Sequence, residues 1–207
     1  MQSVRSVGMP RWEPDGVERL QAAAFELFAE QGFEGTTVAE IAKRAGLTQR
    51  TFFNHFADKR EVLFGLSSEF QHEIVRELTA CADALPPLDA VVRALQAAGD
   101  TIFEERRAAV TRRNEIIDAN PELQERELGK GAALTDAIAA ALHARGLDPD
   151  TARLTASAGM LVQQTAIRRW TQPAESRPLR ELLSDALHSL RTTVIQRSSR
   201  RIVPSRT

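Results

Sequence analysis

The side chains best suited to chemistry in this sequence stand close together. Thr48, Gln49, Arg50, Thr51, Asn54 and His55 are interleaved with Phe52, Phe53 and Phe56, and Lys59 follows three residues later. Amide and guanidinium groups make the paired hydrogen bonds that distinguish adenine and guanine in a major groove, while hydroxyl and ammonium groups suit phosphate oxygens. Patterns that would do covalent chemistry are missing. The four histidines (55, 72, 143 and 188) fall in separate segments and none has the H-E-x-x-H spacing of a metal site. The single Cys81 has no histidine near it in sequence, and no glycine-rich phosphate loop occurs. The residues therefore point to recognition rather than catalysis, and imply no metal and no cofactor.

Side chains of this kind need a short, well-capped helix to present them, and the flanking residues supply one. Thr37 precedes Val38, Ile41, Ala42 and Ala45, apolar positions at helical spacing, and Glu40 completes a capping box, which predicts a helix over 38–45. Gly46 suits the left-handed conformation that ends a helix, and Leu47 is an apolar plug after it. Thr48 caps a second short helix that buries Phe52 and Phe56 and spreads Gln49, Arg50, Thr51, Phe53, Asn54 and His55 over its other faces. Asp58 with Glu61 opens a third helix, predicted to run to Ala84. Upstream, Asp15 and Glu18 form another capping box, and the stripe Leu20, Ala24, Leu27, Phe28 predicts a first helix ending at Gly32. Two short helices joined at a glycine turn, the second rich in hydrogen-bonding groups, make a helix-turn-helix.

The ordered stretch GFEGTTVAEIAKRAGLTQRTFFNHFADKREVL resembles the N-terminal domain of the TetR family of transcriptional regulators, over Val17 to about Leu66. The resemblance implies an all-α protein of about nine helices. A three-helix DNA-binding head is followed by a helical body that binds a small molecule and dimerises. It makes Thr48 to His55 the recognition helix, and it implies phosphate contacts for Thr37 and Lys59 at helix N-termini, where free N–H groups and the dipole favour anions. The expected organisation is a flexible arm (1–14), the head (15–57), the body (58–196) and a basic disordered tail (197–207). One departure concerns Phe53: the family often has Tyr there, whose hydroxyl reaches a phosphate. This chain has no Tyr at all.

Charge constrains the DNA reading. The formal net charge of 207 residues is -1. Residues 1–66 hold eight Lys/Arg against nine Asp/Glu, so the head is not basic as a whole. From Thr36 to Arg60, however, five basic residues face two acidic ones, a local excess of +3. Phosphate contacts through that surface would make binding salt-dependent, and dimerisation would present it twice. Arg5 and Arg11 near the N-terminus, and five Arg without an acid from Arg191 to Thr207, could add contacts or simply be solvated ends. No apolar run approaches a membrane span, the first residues lack the apolar core of a signal peptide, and one Cys excludes an internal disulfide. A cytoplasmic protein without membrane association is expected.

The rest of the chain reads as helices over 58–84, 88–105, 107–119, 121–145, 149–171 and 179–196, broken at Pro and Gly clusters. The last two carry apolar stripes: Leu154, Ala158, Leu161, Val162 and Thr165, then Leu179, Leu182, Leu183, Ala186, Leu187, Leu190 and Val194. As a pair from each of two copies they could build the four-helix interface by which the resembled family dimerises, or both stripes could be buried within one chain. Phe64, Phe70, Ile74, Phe103, Ile117, Met160 and Ile167 are candidates to line an effector cavity, with Asn114, Gln163 and Gln164 to orient a moderately apolar ligand. For each, ordinary core packing or exposure competes. Trp170 reads as an anchor where the penultimate helix ends. The expected function is a homodimeric, ligand-responsive repressor released from a near-palindromic DNA operator by a small-molecule effector. The alternatives are a helical interaction protein whose head no longer reads DNA, and a small-molecule-binding or catalytic helical protein.

Overall fold

A computed structural model describes residues 16–80 and 85–195. Asp15 and its capping box, the N-terminal arm, Cys81 and the basic tail lie outside the described residues. Those described form nine α-helices and two short 3-10 turns, without a strand. They fall into two compact units divided after Gly65. No described helix is long and apolar enough to cross a membrane.

In the first unit α1 (Gly16–Gly35) buries Leu20, Ala24, Leu27 and Phe28, and its regular helical path breaks at Gly32, where φ is +79°. α2 (Val38–Arg44) starts at the predicted capping box: Glu40 N–H donates to Thr37 Oγ1 at 3.3 Å, and Thr37 N–H to Glu40 Oε2 at 2.9 Å. The chain then reverses through a Schellman-type turn, with Leu47 N–H donating to Ala42 O and Gly46 N–H to Lys43 O. Gly46 has φ +67°, and a Cβ there would stand 2.8 Å from Arg19 Nη2, which itself donates to Ala45 O. The left-handed backbone requires glycine, and a Cβ there would also displace the Arg19 guanidinium. α3 (Gln49–His55) begins at Thr48, whose Oγ1 accepts from Thr51 N–H at 3.1 Å. Phe52 is fully buried and Phe56 nearly so. Each such ring contributes roughly 1.5–3 kcal/mol to seating α3 on α1 and α2.

The third predicted helix is not continuous. Asp58 Oδ1 accepts from Arg60 and Glu61 N–H, but a 3-10 turn, Glu61–Phe64, follows and α4 begins only at Ser67. Val62, Leu63 and Phe64 are all buried. Three consecutive buried side chains would span some 200° of an α-helix, and the tighter turn delivers them to α1, whose Gln21 Nε2 donates to Val62 O.

In the second unit, α4 (Ser67–Ala80) packs on α5 (Pro87–Ile102), which also meets α8 (Pro149–Trp170) and α9 (Leu179–Ile195). α5 buries eight of its residues, from Ala90 to Ile102, and forms the centre of the core. α6 (Arg107–Asp118) and α7 (Pro121–Ala144) complete the unit, α6 lying on α7 with an Arg113–Glu127 ion pair between them. The predicted helix 88–105 divides after Ile102: Phe103 leaves it to stack on Phe70, centroids 4.6 Å apart, and a 3-10 turn, Glu104–Arg106, follows.

Candidate nucleic-acid interface

α3 turns its buried side to α1 and α2, and Gln49, Arg50, Phe53, Asn54 and His55 are exposed. Gln49, Arg50 and Asn54 make no side-chain hydrogen bond or ion pair among the described residues, so their donors and acceptors are free to address base edges. Thr48 and Thr51 differ. Their hydroxyls are 2.9 Å apart and bond each other, which leaves one hydroxyl hydrogen between them. The His55 ring lies 6.5 Å from that of Phe56, where the helix ends. No acid stands in the first turn of α3, so nothing there opposes a phosphate.

Two residues expected at phosphates are engaged otherwise. Thr37 donates its hydroxyl to Glu40 Oε2 at 2.7 Å, and the Thr37 hydrogen bonds hold the Glu40 carboxyl below the usual carboxylate range. An ionised carboxylate therefore already occupies the start of α2, where a phosphate was expected. Lys59 sends Nζ to the carbonyl oxygens of Phe33, Glu34 and Thr36 at 2.8, 3.3 and 3.2 Å, and lies 4.3 Å from the centre of the Phe33 ring. All three of its N–H donors tie the end of α1 to the segment after α3. The carbonyls that Lys59 meets are more than twenty residues upstream, beyond the reach of local sequence patterns.

The +3 surface shrinks for the same reason. Arg44 pairs with Glu30 at 2.8 Å and Glu26 at 3.2 Å on α1, and Arg60 pairs with Asp58 at 2.8 Å. With Lys59 on carbonyls, Lys43 and Arg50 are the exposed cations of Thr36–Arg60 without a described partner. Sequence counting missed Glu26 and Glu30 because they neutralise Arg44 across 18 and 14 residues.

The candidate effector residues are distributed over the body core, its margin and exposed positions. Phe70, Ile74 and Met160 belong to the body core, with Phe103 and Ile167 packed at its margin. Ile117 is buried on α6, Asn114 is half-buried and accepts from Arg113 Nη1, and Phe64 is buried in the first unit. Gln163 is half-buried, but Gln164 is exposed, one turn from exposed Leu161. Trp170 is fully buried beneath Arg107, whose guanidinium lies 5.3 Å from the indole centre and donates to Trp170 O.

A three-helix unit with a helix-turn-helix, its second helix exposing uncommitted amide and guanidinium groups, joined to a helical unit, defines a helix-turn-helix DNA-binding regulator. Residues 20–66 match the family model described as bacterial regulatory proteins, tetR family, and residues 85–194 match the MftR C-terminal domain. MftR of Mycobacterium tuberculosis, a regulator named for mycofactocin biosynthesis, is 31% identical over 170 residues, covering 81% of this chain and 85% of its own. The regulator TcmR of Streptomyces glaucescens is 38% identical over 80 residues, covering 39% of this chain and 35% of TcmR. The repressor FadR of Thermus thermophilus, solved with lauroyl-CoA, shares the fold at TM-score 0.51 and 22% identity, covering 92% of this chain and 99% of FadR. The chain belongs to the TetR family: it is a DNA-binding transcriptional regulator and not an enzyme.

Proposed function

We propose that the chain is a homodimeric cytoplasmic repressor that holds a near-palindromic operator through α3 and releases it when a small, moderately apolar effector binds the body. The observation that carries the reading is the exposed, uncommitted row Gln49, Arg50 and Asn54 on a helix seated by buried Phe52 and Phe56. Arg50 suits a bidentate bond to guanine and Asn54 or Gln49 to adenine.

Dimerisation through the last two helices draws support from α8, where Leu154 and Leu161 are 71% and 52% exposed at i, i+7 spacing, with Thr165 beyond them on the same side. The α9 stripe is largely internal, from Leu179 to Leu187, and Val194 is its exposed end. The effector reading rests on half-buried Phe103, Ile167 and Gln163 at the core margin and on the acyl ligand of Thermus FadR. Such a molecule acts only by binding the DNA-incompetent state more tightly.

Gel shift with DNA upstream of the chain's own gene tests the proposal. Arg50→Ala is expected to cost about 1–3 kcal/mol and relax preference at one base pair per half-site. Unchanged affinity and sequence preference in that variant would remove Arg50 from base reading, and salt-insensitive or absent binding by the wild type would defeat the whole proposal.

A further inference from the structure

We infer that Phe53 reads a thymine 5-methyl group, which makes it a specificity-determining residue of α3. The inference rests on the proposed role of α3 as the recognition helix. Phe53 is 55% exposed, and it is the one large hydrophobic side chain exposed in the first unit among the described residues. Gln49 and Arg50 stand four and three residues before it and therefore share its side of the helix. Its direction is held from behind: the Phe53 ring meets fully buried Phe52 at 83°, with centroids 5.5 Å apart.

A phenyl group on that surface can form no hydrogen bond to phosphate or to a base edge. The apolar group that the major groove offers is the C5-methyl of thymine. Phenyl against methyl removes apolar area from water on both sides, whereas phenyl over the polar edge of another base strips hydration and replaces none of it. Discrimination therefore comes from both the gain at thymine and the penalty elsewhere. Neighbouring Gln49, Arg50 and Asn54 read polar edges by hydrogen bonds, and Phe53 adds the apolar mark they cannot read.

The test begins with selection of bound sequences from random duplexes by the full chain. Each thymine of the selected site is then replaced singly by deoxyuridine, which removes the methyl alone. At one symmetry-related thymine pair, wild-type binding is expected to weaken about fourfold per methyl, equivalent to about 0.8 kcal/mol for one buried carbon group. Phe53→Leu should keep that sensitivity and Phe53→Ala should lose it, with melting curves showing both variants folded. Deoxyuridine being neutral at every thymine, or an unchanged response in Phe53→Ala, overturns the inference. If Arg50→Ala shifts the selected sequence while deoxyuridine stays neutral, α3 keeps its role and Phe53 loses this one. If neither Arg50→Ala nor Phe53→Ala alters the selected sequence, the reading of α3 fails and takes the inference with it.

Discussion

Gly159 offers the sharpest test of how closely the body helices pack. A Cβ built there would stand 2.4 Å from Val91 Cγ1. Val91 is fully buried on α5, and its branched side chain is stiff about χ1, so it yields little. Gly159→Ala gains about 1 kcal/mol in helix propensity and costs about 1–3 kcal/mol through overpacking. Gly129 and Gly131 on α7 provide the control, because a Cβ at either meets nothing within 4 Å. Their Ala variants should raise stability by up to about 1 kcal/mol each. The difference between Gly159→Ala and these controls isolates the clash: about 1–3 kcal/mol, or roughly 2–12 °C in melting temperature for a unit of this size. Circular dichroism melts at one fixed protein concentration measure it. Val91→Ala added to Gly159→Ala should recover more than the single effects predict, because the two sites share one contact. If Gly159→Ala melts as high as Gly129→Ala, α8 does not approach α5 as closely as argued.

Lys59→Ala strips three donors from the carbonyls of Phe33, Glu34 and Thr36 and should destabilise the head by about 1–2 kcal/mol, visible as faster amide exchange over 33–36. A flatter salt dependence of DNA binding with unchanged exchange would return Lys59 to the phosphate role. The Arg177 side-chain hydrogen bonds pull the Glu175 carboxyl from its ordinary 4.5 to about 2. Its folded value is the lower one, so this contribution is fully present above about pH 4.5 and is lost as pH falls towards 2. Glu175→Gln should flatten that part of the melting-temperature profile, and an unaltered profile would show that the group does not matter there. Leu154→Glu with Leu161→Glu should convert a dimer to a monomer in sedimentation at micromolar concentration, since like charges would face each other across a two-fold axis.

The head was largely legible because its features are decided within a few residues. The Thr37–Glu40 box, the Gly46 turn, the Thr48 cap and the helical spacing of Phe52 and Phe56 all depend on neighbours along one or two turns of chain. The segment after Asp58 was less so. Its cap was visible, but the break at 61–66 comes from burying Val62, Leu63 and Phe64 together, a demand of the fold. The division after Ile102 has the same origin, since Phe103 turns to meet Phe70 more than thirty residues away. The stripe proposed on α8 mixed two faces: Val162 is buried, while Leu154 and Leu161 are exposed. Small residues at Ala152, Ala156 and Gly159 serve close packing inside the unit.

By itself the sequence determined the starts of α2 and α3, the glycine turn between them and the side chains that can address bases, because capping and periodicity act over three or four residues. Tertiary structure alone decided which of those side chains stay available. Arg44 is taken by Glu26 and Glu30 and Lys59 by three carbonyls, while Arg50, Asn54 and Phe53 remain in solvent. The physical reason is that a charge or donor has one set of partners at a time, and most of these partners are brought together only when α1 folds back over the turn.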